Sequence, residues 1–198
     1  MTSILLVRHT HAPWSPDEMR SLSRNGQLAA EQLADQLVAL PITAVYSSPY
    51  TRSLETVAPL ATRLSLPVHE LPDLRERDLG SFGSLSFEQA VASTWADFDF
   101  AHAGGESNRE AQCRGLSVIR SLSARHRDEV IVAGTHGNLL ALILSAYDDR
   151  ISFDFWRSLA LPDVLRLDLA RSGKGTYCRL VPRAAENAAA ADDWRGAR

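Results

Sequence analysis

Arg8 and His9 stand together at the end of a short apolar run, Ile4-Leu5-Leu6-Val7. A guanidinium and an imidazole side by side can hold an anion, and a neutral imidazole can also act as a nucleophile. Arg52 follows Ser48-Pro49, which reads as a helix start with Ser as cap and Pro in the first turn. A cation there opposes the helix dipole, so an anion at that terminus would explain it. His136 lies between the apolar run Val130-Ile131-Val132-Ala133 and Gly137. That is the strand-to-helix junction where open α/β sheets bind ligands. Glu76, in Leu-Arg-Glu-Arg-Asp, supplies a carboxyl group that could move a proton. Singly, each residue also has a plain reading: a solvated strand end, an exposed helix start, a structural histidine, a charged loop.

The elements that would position these residues alternate between strand and helix signals, which points to an α/β fold with a mainly parallel sheet. The first strand ends at Arg8. Ser23 caps a helix to about Leu40, with Ala29, Leu33, Leu37 and Leu40 on its apolar face. Ile42 to Ser47 is a second strand, followed by the helix that carries Arg52 and runs to about Leu64. Pro67 to Leu71 suits a short strand. The aromatic-rich stretch from Leu79 to Gly105 reads as a loop with short helices over one sheet edge. Ser107 and Glu110 have capping-box spacing before a helix with Ala111, Gly115, Val118, Ile119 and Leu122 on one face. Glu129 to Thr135 is a buried strand and Asn138 to Tyr147 an apolar helix. Two late strands, Asp163 to Leu169 and Thr176 to Val181, flank a Gly-containing turn. The expected organisation is one domain over residues 1–183, with 79–110 as a cap or substrate wall, and an Ala-rich tail over 184–198 with no function assigned.

Arg-His at the first strand end, Ser-Ser-Pro-x-x-Arg, Leu-Arg-Glu and a later strand ending in His-Gly together resemble the histidine phosphatase superfamily, the phosphoglycerate-mutase-like proteins, and within it the phosphatase branch. Gly104-Gly105-Glu106-Ser107 is similar to the family's Gly-Glu-Ser before a helix, and the resemblance runs from about Ser3 to about Leu169. It implies a three-layer α/β/α sandwich and hydrolysis of a small phosphorylated metabolite. His9 would be the nucleophile that forms a phosphohistidine. Arg8, Arg52 and His136 would hold the phosphoryl oxygens, and Glu76 would serve as general acid and then base. Such a hydrolase is metal-independent, of the histidine acid phosphatase kind, and needs no cofactor. The sequence departs from the family pattern at Thr10, where Gly is usual, at His11, where Glu or Gln is common, and at Ser15, where mutases carry Asn. Thr10, His11, Trp14, Ser15 and Gly137 are the expected substrate-binding residues.

Other readings are available. His9-Thr10-His11 also looks like the His-x-His of amidohydrolase-type metal sites, with His69, His102, His126 and His136 as the remaining histidines. The same fold could be a mutase, or a binding protein without catalysis. A formal net charge of -3 argues against nucleic acid or acidic membranes as partners, so an anion site must be a local positive pocket. Cys113 and Cys178 have no CxxC or metal-type spacing and read as free thiols. No apolar run suits a membrane span, and a cytoplasmic monomer or homodimer is the expectation.

Overall fold

The computed structural model describes residues 1–180. The expected tail over 184–198 lies outside them. A six-stranded sheet has the order β3-β2-β4-β1-β5-β6. Its strands are β1 (Thr2–Arg8), β2 (Ile42–Ser47), β3 (Val68–Glu70), β4 (Val130–Thr135), β5 (Asp163–Leu169) and β6 (Gly175–Arg179). β1, β2, β3 and β4 run parallel, and β5 and β6 are antiparallel additions beside β1. The helices are α1 (Arg24–Leu37), α2 (Thr51–Leu64), α3 (Phe87–Ala96), α4 (Asn108–Arg125), α5 (Gly137–Ser145) and α6 (Phe153–Ser158).

The period of two along each strand sorts the core into two layers. Leu5 and Val7 of β1 and Val132 of β4 face α1 and α2, against Leu33, Leu37, Val57 and Leu60. Ile4, Leu6, Ile131 and Ala133 face the other way, onto Ile119 of α4 and Leu139, Leu142 and Ile143 of α5. The chain therefore folds as a three-layer α/β/α sandwich, as expected. A central strand covered on both faces favours apolar residues on both, which is why Ile4 to Val7 of β1 reads as an unbroken run.

Some elements differ from the sequence expectation. The buried face of α1 is Gly26, Ala30, Leu33, Ala34 and Leu37, with Ala29 at its edge, and the helix stops before Leu40. α2 starts at Thr51 with Tyr50 in the cap position and no side-chain cap, so Ser48 does not cap it. Within residues 79–105 the short helix is α3. Ala90 and Val91 of α3 are fully buried, Val91 joins the α4–α5 core, and α3 packs against α6. α6 was not anticipated; it is short, and tertiary packing of Trp156 and Phe153 decides it. The expected caps at Ser23 and Ser107 both form, Ser107 with a full capping box to Glu110.

The fold puts the ends of β1 and β4 side by side. Arg8 pairs with Thr135, and the His9 N–H donates to the Thr135 carbonyl at 3.1 Å. The Ser48 N–H, just after β2, donates to the Gly134 carbonyl at 2.9 Å. Three strand ends thus deliver Arg8-His9, Ser48 and His136 to one place. α1 closes the loop after His9 from below, where a Cβ at Gly26 would collide with the His11 carbonyl oxygen.

Candidate active site

His9 is held so that one ring nitrogen stays unprotonated. Its Nδ1 lies 2.7 Å from the Thr10 carbonyl oxygen. A carbonyl only accepts, so Nδ1 carries the proton and Nε2 keeps its lone pair. Arg52 Nε donates to that Nε2 at 3.3 Å. Burial, then the charge of Arg52, holds the His9 imidazole well below its ordinary value of 6.5, so it is neutral at physiological pH.

The residue that supplies this carbonyl is itself tied to α2 through its N–H. The Thr10 N–H donates to Thr56 Oγ1 at 3.0 Å, and Thr56 Oγ1 donates to the Arg52 carbonyl at 2.7 Å. The loop that orients His9 and the helix that carries Arg52 are therefore tied by one hydroxyl. Thr10 is 0% exposed and its side chain lies against Thr56, so it does not face a substrate. Positive φ at non-glycine residues occurs, among the described residues, at Ser65 and Asp128, so the backbone at Thr10 does not require glycine.

Arg52 is 4% exposed and projects from the first turn of α2 toward His9. Its Nη1 donates to the Glu18 carbonyl at 2.8 Å, and its guanidinium sits 4.8 Å from the Tyr50 ring centroid. Burial, followed by the like charge of Arg20, lowers its pKa to about 10. Arg8 donates through Nη1 to the Leu159 and Ala160 carbonyls at 2.7 and 3.2 Å. The α6–β5 connection thus sets its direction. Asp163 supports that connection by accepting from the Ala160 N–H at 3.0 Å. A Cβ at Gly137 would sit 3.0 Å from Arg8 Nε, so Gly137 makes room for this guanidinium.

His136 is 0% exposed, and its ring centroid is 5.2 Å from that of His9. Its Nε2 pairs with Ser48 Oγ at 2.8 Å. Ser48 therefore serves the imidazole instead of a helix. Burial, then the charges of Arg52 and neighbouring site residues, depresses His136 well below 6.5. Glu76 sits at the start of α5. Its Oε2 accepts from the Asn138 N–H at 3.1 Å, and its Oε1 from the Leu139 and Arg77 N–H groups at 3.0 and 2.9 Å. The positive end of that helix is thus taken by an internal carboxylate. Glu76 also acts as the opposite charge for Arg8, Arg20, Arg52 and Arg77.

The structure brings Arg8, His9, Arg52, Glu76 and His136 into one cluster. The expected substrate residues are more scattered in role. Ser15 Oγ accepts from the Asp17 N–H at 3.1 Å, and His11 Nδ1 pairs with Ser23 Oγ at 2.7 Å. Trp14 is 54% exposed on the loop after His9. Sequence reasoning missed Tyr50, Glu18 and Arg20. Tyr50 places its ring 5.2 Å from that of His136, and burial together with its hydrogen bond to the Glu18 side chain raises its phenol pKa. Their contacts come from loop packing that no local pattern announces. Among the described residues there is no group of three His, Cys, Asp or Glu side chains placed to share a metal ion, and no helix is long and apolar enough to cross a membrane.

A family model for the histidine phosphatase superfamily (branch 1) matches residues 4–180. The chain belongs to this superfamily. It is 30% identical over 162 residues to a metal-independent phosphoserine phosphatase of Arabidopsis thaliana, covering 72% of this chain and 67% of that one. It is 25% identical over 168 residues to a 2,3-bisphosphoglycerate-dependent phosphoglycerate mutase of Brucella ovis, covering 74% and 81%. The solved structure of a mycobacterial glucosyl-3-phosphoglycerate phosphatase shares the fold with a TM-score of 0.74 at 23% identity, over 90% of this chain and 97% of that one.

Two outcomes follow from this geometry. Thr10→Gly should keep kcat within about threefold while lowering stability by about 1 kcal/mol, whereas Thr56→Val, which removes the acceptor for the Thr10 N–H, should lower kcat by about tenfold. Steady-state rates and urea titrations of both variants check this. The second outcome concerns pH. His9 and His136 stay neutral in the folded state below 6.5, while the unfolded chain binds protons there. Stability therefore falls as pH drops below about 6.5, by about 1.4 kcal/mol per pH unit for each imidazole until its folded-state pKa is reached. Urea titrations from about pH 7.5 to about pH 5 should show a shallower loss for His9→Asn than for the parent protein.

Proposed function

We propose that the protein hydrolyses a small phosphomonoester through a phosphohistidine on His9. The observation that carries this reading is the unprotonated Nε2 of a neutral His9, with Nδ1–H fixed on the Thr10 carbonyl, inside a cluster of guanidiniums. In the first step Nε2 attacks phosphorus and the bond from phosphorus to the leaving oxygen breaks. With the phosphoryl dianion bound beside it, Glu76 would take up a proton and give it to that oxygen. In the second step Glu76, now a carboxylate, takes a proton from water; the water oxygen attacks phosphorus, the N–P bond breaks, and orthophosphate leaves.

Arg8, Arg52 and His136 would bind the equatorial phosphoryl oxygens. Their preset orientation is the main catalytic contribution, because phosphoryl transfer depends on positioning and charge. The similarity to a metal-independent phosphoserine phosphatase supports hydrolysis and a chemistry in which arginine and histidine supply the positive charge. The similarity to a bisphosphoglycerate-dependent mutase favours a second reading, phosphoryl transfer within phosphoglycerate through the same intermediate. Ser15 stands where mutases carry Asn, and its hydroxyl is occupied within its own turn, which favours hydrolysis.

The test uses a leaving-group series. The wild-type protein should release phosphate from p-nitrophenyl phosphate and from alkyl phosphates, unaffected by EDTA. His9→Ala should abolish both activities, and Arg52→Ala should lower kcat/KM by about a hundredfold. Glu76→Gln should cost alkyl phosphates about a hundredfold or more, and p-nitrophenyl phosphate far less, because nitrophenolate leaves without a proton. Equal losses on both would remove Glu76 from the acid role. Isomerisation of phosphoglycerate that depends on a bisphosphoglycerate primer and outpaces hydrolysis would favour the mutase reading.

A further inference from the structure

Ser48 is fixed twice on the strand that ends at His136. Its N–H donates to the Gly134 carbonyl at 2.9 Å, and its Oγ lies 2.8 Å from His136 Nε2. Ser48 and His136 are both 0% exposed. The His136 ring makes edge contacts with the rings of His9 and Tyr50, each at 5.2 Å between centroids. Two neighbouring rings therefore restrict its plane, and burial keeps it neutral. A neutral imidazole carries one ring proton, on either nitrogen.

The hydrogen bonds of Ser48 place that proton. Its Oγ accepts from the Tyr50 N–H at 3.3 Å, and the hydroxyl also has one hydrogen to give. Among the described residues, the acceptor left for that hydrogen is His136 Nε2. With the ring proton on Nε2 instead, the buried Ser48 hydrogen would have no acceptor, and a buried donor left unpaired is costly. Nε2 therefore accepts, and Nδ1 carries the proton. Nδ1 is buried with no hydrogen-bond partner among the described residues. The same holds for Arg8 Nε, which lies against Gly137, the residue after His136. Two unpartnered donors buried in one cluster call for an acceptor, and a phosphoryl oxygen supplies it. We propose that Ser48 is a positioning residue that fixes His136 as its Nδ1–H tautomer, so that the ring gives a phosphoryl oxygen an N–H donor. The other tautomer would present a lone pair to a dianion and would weaken the charge stabilisation on which phosphoryl transfer depends.

The phosphoryl ligand in this assignment rests on the hydrolase reading, whereas the tautomer is read in the resting protein without turnover. Proton–nitrogen correlation spectra of the histidine-labelled parent should show His136 protonated on Nδ1. Ser48→Ala should populate the Nε2–H form, and Ser48→Thr, which keeps the hydroxyl, should hold Nδ1–H. On p-nitrophenyl phosphate, Ser48→Ala should lower kcat/KM by about tenfold and Ser48→Thr by less than about threefold. Orthophosphate added to the parent should move the His136 Nδ1–H proton signal downfield, as a new hydrogen bond does. An Nε2–H tautomer in the parent overturns the assignment. So does a folded Ser48→Ala protein that loses activity with the Nδ1–H form unchanged, which would mark a merely structural serine. Orthophosphate that shifts His9 and leaves the His136 Nδ1–H signal unmoved overturns the donor role. The parent spectrum and the orthophosphate titration decide the assignment even where Ser48→Ala fails to fold. The hydrolase reading fails separately, if His9→Ala releases phosphate from p-nitrophenyl phosphate as fast as the parent.

Discussion

The hydrogen bond from His9 Nδ1 to the Thr10 carbonyl decides what the rest of the site can do. It leaves Nε2 as the nitrogen with a lone pair, and burial keeps the ring neutral. Everything around it serves that orientation. β1 ends in register with β4, the His9 N–H is fixed on Thr135, and Thr56 locks the Thr10 peptide against the helix that brings Arg52. Rotation of the Thr10–His11 peptide would free the ring, and rotation of the His9–Thr10 peptide would unlink the nucleophile from α2.

The second constraint is charge. Arg8, Arg20 and Arg52 surround two neutral imidazoles, and burial together with the like charge of Arg20 lowers the Arg52 pKa to about 10. Glu76 offsets them from the mouth of α5, where backbone N–H groups hold its carboxylate. A phosphoryl dianion suits such a site because it brings the charge that the guanidiniums are arranged to meet. The chain as a whole carries a net charge of -3, so this positive region is local and set by the fold.

Much of the fold was legible because its signals are local. Unbroken apolar runs gave β1 and β4, and Ser23 and Ser107 marked helix starts that form as expected. The five residues of the cluster were legible through their motif order. What escaped the sequence depends on tertiary contacts. Ser48 looked like a cap, but its hydroxyl goes to His136 and α2 begins at Thr51. α6 is short, yet the connection after it aims Arg8. Thr10 looked like a substrate-facing replacement for glycine; its side chain is buried against Thr56, and the direction of its carbonyl, which matters most, has no sequence signature. Tyr50 and Arg20 reach the site through loop geometry that no periodicity encodes.

The most direct measurement is to trap the covalent intermediate. Rapid acid-free quenching during turnover of p-nitrophenyl phosphate, followed by mass spectrometry of the peptides, should find phosphate on His9. Phosphorus NMR of the trapped protein should assign it to Nε2. Phosphate on His136 or His11, or turnover with no phosphohistidine in the parent protein or in a Glu76→Gln variant slowed at the second step, would contradict the account.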